Sequence, residues 1–103
     1  MRIRTIKPEF WTDSFMVQLP HLARLFYISL WSIADDHGFI EDEIGRIAMM
    51  VMPQEDFAEI DGFLQMFVLS GRLELWITEE GDTFYRVSKW EKHQKVDHPA
   101  KSR

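Results

Sequence analysis

A chain of 103 residues with 46% apolar and 14% aromatic content can build one hydrophobic core, and it is far from the hydrophobe-poor composition of disordered segments. The absence of cysteine excludes a disulfide framework, a thiolate metal centre and a cysteine nucleophile, and suits a reducing cytoplasm. The net charge of −5 is unevenly spread: residues 1 to 8 carry Arg2, Arg4 and Lys7 with no acid, residues 89 to 103 carry five cations against Glu91 and Asp97, and the segment between them carries four arginines against fifteen acids.

The longest apolar-rich stretch, Leu22 to Ala34, is interrupted by Arg24, Ser29 and Ser32 and is shorter than the roughly 20 residues a membrane span requires. After Lys7 the N-terminus runs into Pro8-Glu9-Phe10-Trp11 rather than an apolar signal core. A cytoplasmic protein without a membrane partner is expected.

The first element is expected around Thr12 to Val17, a short helical turn with Thr12 or Asp13 as cap and Phe15 and Met16 as apolar anchors. Leu22, Leu25, Phe26, Ser29, Leu30 and Ile33 then fall on one face of a helix over Pro20 to Asp35, with the proline in the first turn, where no N–H partner is needed. Asp35-Asp36-His37-Gly38 is expected to end this helix, Gly38 taking the left-handed conformation that closes helix C-termini, and Phe39-Ile40 to form a short extended bridge. A second helix has Asp42 as its cap, Ile44, Ile47, Ala48 and Val51 as its core face and Pro53 as its stop.

Phe57, Ile60, Phe63, Leu64, Phe67 and Val68 mark a third helix that ends at Ser70-Gly71, with Glu55, Asp56, Glu59 and Asp61 suited to the positive end of its dipole. Leu73, Leu75 and Ile77 alternate with Glu74, Trp76 and Thr78, Glu79-Glu80-Gly81-Asp82 turns the chain, and Thr83 to Val87 returns as the second strand of a hairpin. Three helices followed directly by a hairpin is the element order of a winged helix-turn-helix, so the expected fold is α+β with the hairpin as wing. The winged-helix domain is expected over residues 1–90, with 91–103 as a basic C-terminal arm or linker.

Three strings go beyond any generic helical pattern: RIRTIKPEFW at Arg2 to Trp11, LARLFYISLWSIADDHG at Leu22 to Gly38, and KWEKHQKVDHPAKS at Lys89 to Ser102. Through them, and over nearly its full length, the chain resembles the N-terminal domains of phage and prophage replication initiators, also called replisome organisers. The resemblance implies a winged-helix domain that binds origin DNA in a bacterial host cell, joined by a linker to a C-terminal part that engages a replicative helicase or its loader. Two positions depart from the family's pattern. His98 precedes Pro99 where a basic residue is common, which lowers the charge of the tail, and Phe39 stands where a polar or basic residue is common.

On a helix-turn-helix the third helix ordinarily reads bases, yet the face expected to be exposed here is Glu55, Asp56, Ala58, Glu59, Asp61, Gly62, Gln65 and Met66, which repels phosphate. The expected contacts to double-stranded DNA lie on the basic ends and the wing: Arg2, Arg4 and Lys7, then Arg72 and Arg86, then Lys89, Lys92, His93, Lys95 and Lys101. Arms of this kind follow phosphates or enter the minor groove, although the same residues also read as ordinary solubilising termini. Trp11 and Trp90 read first as core aromatics and second as platforms for unpaired bases.

His93 and His98, on either side of Asp97, lack a third ligand, and Asp35-Asp36-His37 occupies a helix-ending turn where short polar side chains serve local structure. No phosphate-binding loop, nucleophile elbow or H-E-x-x-H pair is present, so neither catalysis nor a metal or other cofactor is expected. Met49, Met50, Met52 and Met66 read as core filling; two or more of them exposed would turn the acidic body into a protein-binding or dimerisation face. The function expected is therefore non-catalytic binding of duplex origin DNA. The alternatives are an acidic winged-helix module for homodimerisation or inhibition of a host factor, and a transcriptional regulator.

Overall fold

The computed structural model of the chain describes residues 1–94. Pro8–Thr12 and Met16–Gln18 form two 3-10 turns in place of the single short helix expected near the start. Asp13 stands between them as the C-cap of the first turn, and Phe15 holds the N-cap place of the second; the Asp13 Oδ1 accepts the N–H groups of Phe15 and Met16 at 2.9 and 3.2 Å.

Helix α1 (His21–Ile33) buries Ala23, Phe26, Tyr27, Leu30 and Trp31. This stripe has the expected spacing but is advanced by one residue, and Leu25 is 58% exposed as a result. Ring packing decides the rotation. Tyr27 and Trp31 meet edge to face at 5.6 Å and reach Phe10 and Phe67, and burying two large rings outweighs burying Leu22 and Leu25.

The chain leaves α1 at Ala34 in an extended conformation, so Gly38 does not close the helix. With φ of +88° it instead turns the chain into strand β1 (Phe39–Glu41). The Asp35 carboxylate accepts the N–H groups of His37 and Phe39 and builds that turn. A Cβ on Gly38 would meet the Trp90 ring at 2.9 Å, a second requirement for glycine.

Helix α2 (Ile44–Val51) buries Ile47 and Ala48, with Met52 buried just beyond it. Asp42 does not cap it: Glu43 holds that place, and the Asp42 carboxylate accepts the Thr83 hydroxyl at 2.9 Å. Helix α3 (Phe57–Leu69) buries Ile60, Leu64 and Phe67, but Phe57 is 55% exposed because its ring lies over Gly45 of α2 rather than in the core. Gly71, with φ of +81°, ends α3, and the Arg72 N–H returns to the Phe67 carbonyl.

Strands β2 (Leu73–Ile77) and β3 (Thr83–Val87) form the expected hairpin, and β1 joins on the far side of β3 to give an antiparallel sheet in the order β1-β3-β2. Leu73 pairs with Val87 and Ile40 with Tyr85, and these four are buried. Towards the turn the hairpin runs past the helices, leaving Leu75, Trp76 and Ile77 exposed. A last helix, α4 (Trp90–His93), carries buried Trp90, whose indole N–H donates to the Asp36 carbonyl at 3.0 Å. Packing continues through buried Gln94, past the domain end expected at residue 90. Among the described residues the result is an α+β fold with four α-helices and a three-stranded antiparallel sheet. Among the described residues no helix is long and apolar enough to cross a membrane.

Candidate nucleic-acid interface

The N-terminal segment is pinned beside α4. Gln94 accepts the Thr5 N–H and hydroxyl at 3.0 and 3.1 Å and donates its amide to the Thr5 carbonyl at 2.6 Å, while the Arg2 N–H donates to the Ser32 carbonyl. Residues 1–8 and 89–94 therefore share one face of the molecule. Lys95, Asp97, His98 and Lys101 lie outside the described residues.

Several of the expected contact residues are committed to internal work. Arg4 inserts its guanidinium, only 9% exposed, beneath the end of α1, donating to the carbonyls of Trp31, Ala34 and Asp35 at 3.0 to 3.3 Å and lying 4.9 Å over the Trp90 ring. It satisfies carbonyls that a helix C-terminus leaves without partners. Arg86, 15% exposed, donates to the His37 carbonyl and to Glu91, pairs with Glu74 and covers the Phe39 ring. Neither guanidinium is presented to a phosphate.

Arg2 and Arg72 are in between. Arg2 pairs with Asp36 at 3.1 Å but remains 59% exposed, and Arg72 pairs with Asp13 at 3.2 Å above the Phe15 ring. His93 is half-buried, its ring tilted against Trp31 at 5.2 Å and edge-on to Tyr27 at 6.4 Å. Burial, and then the charges of Lys7 and Arg72, hold its pKa below the ordinary 6.5, so the ring is neutral at pH 7.

Lys7, Lys89 and Lys92 are exposed, and their ammonium groups form no hydrogen bond or ion pair with any described residue. All three line one cleft of about 540 Å³, together with Arg72 and His93. Phe10, Met16, Tyr27 and Trp31 contribute its apolar side, and Glu9 and Asp13 its acidic rim. Burial pushes the Tyr27 hydroxyl up to about 12, so that group carries no charge here. Lys89 has a left-handed backbone, φ of +54°, a conformation that costs a non-glycine residue on the order of 1 kcal/mol. It sits where β3 hands over to α4.

Elsewhere the surface is acidic or apolar. The exposed side of α3 carries Asp56, Glu59, Asp61 and Gln65, while Met66 is half-buried. Met49 and Met50 are exposed and Met52 is buried. Trp11 lies exposed against the edge of Phe10, whereas Trp90 is a core residue. Asp36 is held in its turn by Arg2 and Arg4.

Ser88 and Gln94 are absent from the residues expected from sequence. Ser88 lies between the wing and Lys89 with no motif to mark it, and Gln94 stands inside a string that reads as a charged arm. Comparisons with protein-family models, with curated proteins and with solved structures find no match for this chain.

Proposed function

We propose that this chain is a non-catalytic winged-helix DNA-binding module of the phage replication-initiator kind, taking duplex DNA on the face where residues 1–8 and 89–94 meet. The element order α1-β1-α2-α3-β2-β3 with sheet order β1-β3-β2 supports the winged-helix reading. The observation that carries the functional reading is the convergence of the free cations Lys7, Lys89 and Lys92 around one cleft, from segments more than eighty positions apart in the chain. Clustered lysines supply the sequence-independent phosphate affinity on which DNA binding rests. Arg2 and Arg72 extend the patch, and Arg4 and Arg86 hold the segments that present it.

On this reading α3 is not the main contact, because its exposed acids repel phosphate. The acidic helices face a protein instead, a replicative helicase or loader being the partner in keeping with replication initiation. The test is fluorescence anisotropy of the 103-residue chain with duplex fragments at about 50 and 200 mM salt: three phosphate contacts imply an affinity falling severalfold to some fortyfold over that range. Folded protein that shows no salt-sensitive binding contradicts the reading.

A second reading has its own observation. Met49, 71% exposed, and Met50 and Phe57 leave apolar surface on α2 and α3 beside the acids, as a protein-binding or homodimerising module would. Association without DNA binding would favour it. A transcriptional regulator would share the DNA result but protect a promoter rather than an origin.

A further inference from the structure

Strand β2 is an edge of the sheet, and its outer side is unprotected. The Ser88 N–H donates to the Arg72 carbonyl and the Thr78 N–H to the Asp82 carbonyl. These two bonds fix the phase of the ladder: Arg72, Glu74, Trp76 and Thr78 turn their backbone groups towards β3, so Leu73, Leu75 and Ile77 turn theirs outward. No backbone hydrogen bond joins that outward row to any other described residue. Free edges are ordinarily blunted by a lysine, a proline or a bulge. Residues 73–77 contain neither lysine nor proline, the register with β3 runs without a bulge, and Leu75, Trp76 and Ile77 are exposed.

The hairpin is also polarised along its length. Glu79, Glu80 and Asp82 stand at its tip, whereas Arg72 and Lys89 stand at its base, where the Ser88 N–H ties the two strands. A second copy of the hairpin laid antiparallel against β2 brings acidic tip to basic base at both ends. An unrelated strand has no reason to carry that pattern.

One two-fold register satisfies these constraints. Residues with outward backbone groups must exchange hydrogen bonds with one another, so the axis passes through a residue that faces itself. Centred on Glu74, the pairing sets two carboxylates opposite each other. Centred on Leu73 or Leu75, it calls on Leu73, which is only 2% exposed and out of a partner's reach. Centred on Ile77, it calls on Glu79 in the turn beyond β2. Centred on Trp76, it pairs Leu75 with Ile77 of the second copy and Ile77 with its Leu75, using exposed residues alone. Trp76 then falls opposite Trp76, and Glu80 level with Arg72.

We propose that β2 is a self-association edge, pairing antiparallel with β2 of a second copy about a two-fold axis at Trp76 and joining the two three-stranded sheets into one. This does not rest on DNA binding, and it uses a different surface from the methionines of α2.

The experiment is sedimentation velocity of the 103-residue chain at concentrations from about 10 µM to about 1 mM, since so short an edge makes a weak dimer. The sedimentation coefficient should rise towards that of a dimer, and NMR at the high concentration should show slowed amide exchange at Leu75 and Ile77 but not at Glu74. Ile77→Lys, at a 70% exposed position, should weaken association about tenfold or more with the circular dichroism unchanged. The chain has no cysteine, so introduced ones report the register. Position 76 faces itself in a closely spaced pair, with Cα atoms about 4.5 Å apart, within reach of a disulfide. Trp76→Cys should therefore cross-link on oxidation and Glu74→Cys should not. A folded chain that stays monomeric throughout, association that survives Ile77→Lys, or a Trp76→Cys variant that cross-links no faster than Glu74→Cys overturns the proposal.

Discussion

Gln94 grips Thr5 through three hydrogen bonds, closing the chain between residues 89 positions apart. This contact places Lys7 beside Lys89 and Lys92, so the basic face depends on a neutral amide. Gln94→Ala is expected to cost about 1–3 kcal/mol. It should also free the Thr5 amide to exchange with solvent while α1 stays protected, which hydrogen exchange followed by NMR will show. Equal exchange in both proteins would mean that residues 1–7 are held by something else.

Arg4 is a structural residue on this account. Arg4→Ala removes donors from three carbonyls at the end of α1 and uncovers Trp90, and should lower stability in urea by about 2–4 kcal/mol. Arg4→Lys restores the charge without the planar fork and should recover less than half of the loss. Full recovery by lysine would make Arg4 a point charge rather than a cap.

Two glycines with similar backbone angles should respond differently to alanine. Gly81 has φ of +92° and open space around it, so Gly81→Ala should cost about 1 kcal/mol. Gly38→Ala adds a clash with the Trp90 ring to the same backbone strain and should cost about 3 kcal/mol. Thermal denaturation of the two variants gives the comparison.

His93 makes stability depend on pH. Its folded pKa lies below the unfolded value of 6.5, so the unfolded chain takes up the proton first as pH falls. The contribution of the neutral ring is fully present above 6.5 and is lost as pH drops through the depressed folded value. Denaturant midpoints measured between pH 7.5 and 5 should fall for the wild type and fall less for His93→Gln. Parallel curves would assign the decline to other groups.

The periods in the sequence located the three main helices and the hairpin, and the glycine positions located their turns. What they missed depends on contacts distant in sequence. Hydrophobicity alone ranked Leu25 as core, because nothing local says that Tyr27 and Trp31 will meet Phe10 and Phe67 and rotate α1 by one residue. Phe57 fits the stripe of α3 but falls at its first turn, over a glycine. Charge counting marked Arg4 and Arg86 as contacts for phosphate, whereas the carbonyls of α1 and of His37 claim them. The clustering of Lys7 with Lys89 and Lys92 was legible only as a charge imbalance at two ends.

Lys7, Lys89 and Lys92 are proposed to act together on DNA. The most direct test is the slope of log affinity against log salt for a duplex, compared between the wild type and the Lys7→Ala, Lys89→Ala, Lys92→Ala triple variant. Each lost phosphate contact lowers the slope by about 0.9, so a decrease of about 2–3 is expected with the fold intact by circular dichroism. An unchanged slope, or no salt-dependent binding by either protein, would contradict the claim.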